Sequence, residues 1–464
     1  MRPVKPLLAL ALCCALASFA AIAEDTPRAA PEIQACSEAA EPAALGIKAL
    51  RAQGPAGLEA LFKQYPKEVE ELRARPSADA PLSPLAERVR YALDQVAQQK
   101  DAHSSGLYWY TSIEDARAAS KTSGKPILAL RMLGKLYEDC SCANSRFFRT
   151  ALYANKEVSA YLKEHFTLVW TSERPVPKIT IDFGDGRKLE RTITGNSAHY
   201  ILDAQGRVVD VLPGLYSPAM FMKLLKADEA LALQTAPLED KAVKAKLAQF
   251  HTAAALALQK EWLDALQELK KQPDGEKAAL AYANPAAARA KADVSSGKKD
   301  APTAEEAGPI AVSKVVVERP LLRAARGMRT LGQSTDDATW AQLAERVVPD
   351  AALDAGSIAL IRSKFPTAEA AEARAESKAE VEDPLVSTVR AFQYSIALDT
   401  VRNEYLLHSQ IHAWLGSTNL YQHLDQLNDR VYAELFLTPK SDPWLGLVPA
   451  NTYTGLDREG LLVK

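Results

Sequence analysis

Cysteine is scarce in this chain: five among 464 residues, and two of those, Cys13 and Cys14, lie in an apolar N-terminal stretch. Only Cys36, Cys140 and Cys142 follow it, too few for a disulfide framework, so the fold must rest on apolar cores. An excess of one charge is also missing. Lysine and arginine number 56 against 58 aspartates and glutamates, a formal net charge of −2. That balance lacks the basic footprint of nucleic-acid or anionic-membrane binding. Past the N-terminus no apolar run approaches the roughly 20 residues a membrane span needs. No Gly-rich phosphate loop occurs, and Gly184-Asp185-Gly186 has the form of a turn. Neither a serine elbow nor a pair of carboxylates in catalytic spacing stands out, so no cofactor is expected. No repeat of solenoid period is present.

The N-terminus itself is informative. Met1-Arg2-Pro3-Val4-Lys5 is basic, Leu7 to Ile22 is apolar, and Ala21-Ile22-Ala23 precedes Glu24. A basic region, an apolar core and an A-x-A site form a secretory signal peptide, with cleavage expected after Ala23 and periplasmic or secreted localisation. Leu12 before Cys13 is not the small residue that precedes an acylated cysteine. About 440 residues would remain, enough for two or three domains at ~100–200 residues each, with no membrane span after cleavage.

Residues 24–42 are rich in Ala, Pro and Glu and are expected to be a flexible lead-in, and helical patterns then run over 43–72, broken at Tyr65-Pro66, and from Pro84 onward. In the second, Leu85, Val89, Leu93 and Val96 recur at helical spacing. From about 107 helix and strand alternate. Thr111-Ser112-Ile113-Glu114 is a helix start, because a hydroxyl followed by an acid satisfies free amides, and Gly124 ends that helix. Pro126-Ile127-Leu128-Ala129-Leu130 and Phe166-Thr167-Leu168-Val169-Trp170 are expected strands. Hairpins are expected over 178–194 and over 200–212, and Pro218 opens a further helix.

The Cys140-Ser141-Cys142 pair lies between the first of these strands and the following helix. Thiols two residues apart can pair only through a small, strained ring, and strained disulfides exchange readily. If Ser141 caps a helix beginning near Cys142, that sulfur lies over free amides at the positive end of the helix dipole, which favours thiolate. Arg146 and Arg149 add positive potential, and Glu138 and Asp139 oppose it at Cys140. Cys142 is then the attacking thiolate and Cys140 the resolving thiol, acting on the thiols or disulfides of other exported proteins. The opposite reading is also open: buried cysteine is a small apolar residue, and Phe147 and Phe148 suit a packed helix. A metal on the two sulfurs would need further ligands, of which His199 is the nearest.

Tyr108-Trp109-Tyr110, Lys125-Pro126, a thiol at a helix start, and Ala198-His199-Tyr200-Ile201-Leu202-Asp203 leading to Gly206 resemble secreted thioredoxin-like proteins, over about 120 residues. The resemblance implies an α/β thioredoxin-like central domain within a mostly α-helical chain. It also implies thiol–disulfide exchange, with a redox-inert binding or assembly module as the alternative. Three features depart from the family: the motif is Cys-x-Cys, the loop Arg131 to Asp139 is longer, and Ser197 stands where a substrate-presenting proline is usual. The domains so read are a signal peptide (1–23), a helical N-terminal region (24–106), the thioredoxin-like domain (107–228), a helical extension (229–285), a flexible linker (286–312) and an α-helical C-terminal domain (313–464).

In that last region a second polar stretch spans 367–383, and Asp383-Pro384 opens what is expected to be the longest helix. Farther along it, Glu404, His408 and His412 fall at i, i+4 and i+8 and share a face, a spacing that suits either a metal or hydrogen-bonded structural histidines. The catalytic glutamate of H-E-x-x-H is absent, since Ser409 follows His408. Thr438 to Trp444 is expected to be a turn that lays Trp444 on a core.

Overall fold

The computed structural model describes residues 29–192, 195–269, 335–365, 385–417 and 420–441. The signal segment, the linker at 286–312, the polar stretch at 367–383, the Asp383-Pro384 start and Trp444 lie outside the described residues. The described chain is mostly helical with a small mixed sheet.

Five helices lead: α1 (Pro31–Ala35), α2 (Ala40–Ala52), α3 (Pro55–Gln64), α4 (Pro66–Arg73) and α5 (Pro84–Ala97), so the described part of the expected flexible lead-in is largely helical, with Ala35 and Cys36 buried in the bundle. Proline opens α3, α4 and α5, where its missing amide costs nothing, and the Ser83 hydroxyl caps α5 by accepting from the Ala86 amide. Leu50, Leu58, Leu61, Val69, Val89, Leu93 and Val96 form their own apolar cluster. The short α6 (Ala102–Ser105) follows, and the Arg51 guanidinium of α2 donates to the carbonyls of Val96 and Trp109, both at 2.9 Å. The helical bundle is thereby tied to the start of the sheet region.

Helix α7 (Ile113–Ser123) begins at the Ser112 cap, which accepts from the Asp115 amide, and ends at Gly124, whose φ of 75° only glycine adopts easily. The strands β1 (Ile127–Leu133), β2 (Thr167–Arg174), β5 (Ser197–Leu202) and β6 (Val208–Pro213) form one sheet in the order β2-β1-β5-β6. β1 and β2 are parallel, with Leu130 beside Trp170; β1–β5 and β5–β6 are antiparallel. Helices α8 (Ala143–Phe147) and α9 (Lys156–His165) make the crossover between β1 and β2, with a π-turn at Phe148–Leu152. Every residue of β1, β5 and β6 is buried, as befits a sheet covered on both faces. The strands β3 (Lys178–Asp182) and β4 (Lys188–Thr192) pair separately as a hairpin.

After the sheet come α10 (Pro218–Thr235) and α11 (Asp240–Leu269), then α12 (Asp337–Val347) and α13 (Ala355–Arg362). Helix α14 (Leu385–Arg402) passes through a π-turn at Asn403–His408 into α15 (Ser409–Ser417), and this continuous run is the longest among the described residues. Helix α16 (Leu424–Arg430) also passes into a π-turn, Val431–Leu435. α11 packs along α15, and α12 along α14. The sheet and these C-terminal helices share one apolar cluster, from Leu107 to Phe436. No helix among the described residues is long and apolar enough to cross a membrane.

Candidate functional site

The thiol loop leaves β1 at Gly134, where φ is 73° and an added Cβ would lie 3.2 Å from Val176 Cγ1. The chain returns with the Cys142 amide donating to the Leu133 carbonyl at 3.2 Å. Helix α8 starts at Ala143, so the capping residue is Cys142 and not Ser141: the Cys142 Sγ accepts from the Ser145 amide at 3.4 Å. A one-residue shift in helix start is the reason. The Ser141 hydroxyl instead lies 2.6 Å from that of Ser145, and the Ser141 carbonyl accepts from Thr192 Oγ1 at 3.1 Å.

Cys140 and Cys142 are both free thiols, Cys140 half-buried and Cys142 0% exposed. Burial, and after it the proximity of Cys142, holds the Tyr153 hydroxyl well above its ordinary pKa. Tyr432, from the C-terminal π-turn, is raised likewise by burial and by Glu173, Tyr200 and Cys142. Phe148 is fully buried and packs 4.6 Å from the ring of His199; Phe147 turns away, onto Phe392 of α14 at 5.0 Å. Among the described residues, His199 and the two cysteines do not come together as a group that could hold a metal. The His199 Nε2 shares a 2.7 Å hydrogen bond with the Tyr153 hydroxyl, and burial pushes the imidazole pKa down to about 3.

Arg146 is half-buried, and Arg149 is spent elsewhere. It donates to the Glu138 carbonyl at 3.3 Å and lies among the buried carboxylates Asp94 and Asp101. Glu138 pairs with Lys135 at 3.2 Å and Asp139 with Lys100 at 3.5 Å.

Ser197, where a substrate backbone would be presented, is 0% exposed and pairs with Met132. Its neighbour Asn196 is held by this chain's own C-terminal segment. Asn196 Nδ2 donates to Thr438 Oγ1 at 2.9 Å, and the Tyr432 hydroxyl donates to the Asn196 carbonyl at 3.2 Å. Tyr200 to Asn428 (3.0 Å) and Arg131 to Asp425 (2.8 Å) extend that contact along α16.

A second constellation lies behind β6. The π-turn and α15 bring Glu404, His408 and His412 to one face, as the spacing suggested, and the structure adds Asp210 of β6, Asp228 of α10, His251 of α11 and Tyr216. All seven are buried. His408 Nδ1 lies 2.9 Å from Glu404 Oε2, and its Nε2 lies 3.0 Å from Asp210 Oδ2. His251 Nδ1 meets His412 Nδ1 at 2.8 Å, while its Nε2 donates to the Val209 carbonyl at 2.9 Å. The rings of His408 and His412 lie 4.1 Å apart.

Charge within the cluster is unevenly matched. Burial opposes a charged His408, but Asp210 and Glu404 overcome it and hold its pKa well above the ordinary value. Burial likewise opposes ionised Asp210, and His408 then His412 hold its carboxyl well below the usual range. Asp228 goes the other way, raised well above it by burial and by Asp210 beside it. Asp228 lies against Asp210 and the Tyr216 hydroxyl against Glu404, and each contact adds to burial in raising the group above its ordinary value.

Sequence reasoning missed Asp210, Asp228, His251 and Tyr216. One clue was available: Asp210 interrupts Val208-Val209-Asp210-Val211-Leu212, and a carboxylate in a buried strand needs a partner. No family model, curated protein or solved structure matches this chain.

Proposed function

We propose that this chain is an exported thioredoxin-fold protein in which the fold serves as a binding or assembly scaffold and the two cysteines do not exchange disulfides. The observation that carries the reading is the Cys142 sulfur, 0% exposed. Disulfide exchange needs a sulfur that a partner's sulfur can approach in line, and burial closes that approach. The occupied edge supports the same conclusion. Asn196 and Ser197 already bond within this chain, where an exchanger would leave that edge open to a substrate backbone.

The thioredoxin-fold assignment rests on the strand order β2-β1-β5-β6, with a helical crossover joining the parallel pair and a tight turn joining the antiparallel pair. Tyr110 adds a parallel bridge to Val169 at the outer strand, and α7 and α10 flank the sheet in sequence. Export rests on the basic, apolar and A-x-A pattern of residues 1–23.

The test is equilibration of the folded chain in glutathione buffers spanning oxidising to reducing, followed by alkylation and mass analysis. A scaffold leaves Cys142 reduced throughout and forms at most a glutathione adduct at Cys140. A reversible Cys140–Cys142 couple, lost in both Cys140→Ser and Cys142→Ser, would establish exchange and overturn the scaffold reading.

A further inference from the structure

We propose that Asp210, His408 and His412 bind a divalent first-row transition-metal ion of the zinc type, with Glu404 and His251 orienting the two imidazoles. This inference stands on geometry separate from the thiol loop. One ligand atom from each of the three side chains lies within 4.8 Å of the others, a spacing that a single ion can bridge. A carboxylate oxygen with two imidazole nitrogens is a borderline donor set, suited to zinc and its neighbours and not to calcium or magnesium, which take oxygen throughout.

The outer contacts fit the same assignment. Metal-binding histidines direct the other ring nitrogen to a hydrogen-bond partner, often a carboxylate, which fixes the tautomer. His408 does this through Nδ1 to Glu404, leaving Nε2 turned toward Asp210. For His412 the tautomer follows by a chain of bonds. The Val209 carbonyl can only accept, so His251 donates through Nε2 and its neutral ring accepts at Nδ1. His412 Nδ1 must then be the donor to His251, which makes Nε2 its lone-pair nitrogen. Glu404, grouped by sequence spacing with the possible ligands, therefore becomes a positioning residue, and Asp210 takes the ligand place.

Charge argues for a cation as well. Asp210 and Glu404 both bond the single ring of His408, so two buried carboxyl groups share one imidazole. Their ion pairs among the described residues include no lysine or arginine. A bound dication supplies the positive charge that two buried carboxylates require. All three ligands are buried, so an ion there is held away from bulk solvent and enters as β6 and the α14–α15 run assemble.

The experiment uses the full chain without a metal-affinity tag, produced with zinc in the medium and desalted over chelating resin. Metal analysis should find about one equivalent per chain. Stripping with a strong chelator should lower Tm by roughly 5–15 °C, reversed by zinc. Asp210→Asn and His412→Gln should each retain less than about a tenth of an equivalent, while His423→Gln, at an exposed histidine, retains the full amount. Because the first two variants can fail to fold, cobalt(II) is also added to the stripped wild-type chain, where ligand-field absorption that zinc displaces reports the site directly. The proposal fails if the wild-type chain holds less than about a tenth of an equivalent, shows no cobalt absorption and melts unchanged after chelation. It also fails if His423→Gln loses the metal.

Discussion

The two polar constellations of this protein differ in how they meet their surroundings. The thiol loop is compact in sequence and closed in space. Cys142 completes a helix cap, and Tyr153 and Tyr432 neighbour it. The imidazole–carboxylate cluster is scattered in sequence, from Asp210 to His412, yet it gathers buried histidines and carboxyl groups in one place. A conspicuous motif can be absorbed entirely by packing. Scattered residues that burial forces together must instead be satisfied by one another or by something bound.

Gly214 joins the two regions. Its amide donates to the Ser197 carbonyl at 2.8 Å on the thiol side, and an added Cβ would lie 2.4 Å from Asn403 Nδ2 at the head of the π-turn. Asn403 in turn donates to the Leu215 carbonyl at 2.8 Å. The π-turn and the end of β6 thus hold one another in place, which lets His408 reach Asp210.

The sharpest way to break the contrast is to remove the centre of the charged cluster. His408→Ala leaves Asp210 and Glu404 buried without their partner, and should cost about 3–5 kcal/mol in urea unfolding. A loss below about 1 kcal/mol would mean that the cluster is not under electrostatic tension.

Next in size is the pH dependence around the thiol loop. His199 is held near 3 against 6.5 when unfolded, and burial similarly pushes His103 down to about 4. Between those values the unfolded chain binds protons that the folded chain refuses, so stability falls as pH drops from about 6.5 toward 3. At about 1.4 kcal/mol per pH unit, His199 alone contributes up to roughly 4–5 kcal/mol of acid sensitivity. His199→Leu should flatten that slope in denaturant melts taken from pH 7 to pH 4. An unchanged slope would place the sensitivity elsewhere.

Gly214→Ala follows. It strains a φ of 81° and displaces Asn403, with an expected cost of ~1–3 kcal/mol by thermal or urea unfolding. The smallest effects separate the two cysteines. Cys142→Ala removes both the buried sulfur and the bond it accepts from the Ser145 amide and should cost about 1–2 kcal/mol, whereas Cys140→Ser should stay within ~0.5 kcal/mol. Equal costs would mean that Cys142 is not packed as described.

Much of the architecture was legible because its determinants are local. The helix start within Thr111 to Glu114, the Gly124 stop, the hairpin turns and Pro218 mark elements that the structure contains at nearly those bounds, with the cap at Ser112. The helix start at the thiols was misplaced by one residue, since Ser141 and Cys142 can both cap and tertiary packing selects between them. The C-terminal hold on Asn196 comes from Tyr432 and Thr438, more than 230 positions away, and no short-range pattern announces it. In the cluster, helical spacing alone revealed Glu404, His408 and His412. Asp210, Asp228 and His251 joined them only through the packing of β6, α10 and α11 against that helix.

The central claim is that Cys142 is sealed, and the direct measurement is its alkylation rate in the folded protein beside that of Cys140, followed by mass spectrometry of each peptide. The account predicts that Cys140 reacts as an accessible thiol, while Cys142 reacts only through opening of the structure, slower by a factor on the order of a hundred or more. Comparable rates at the two cysteines would contradict it.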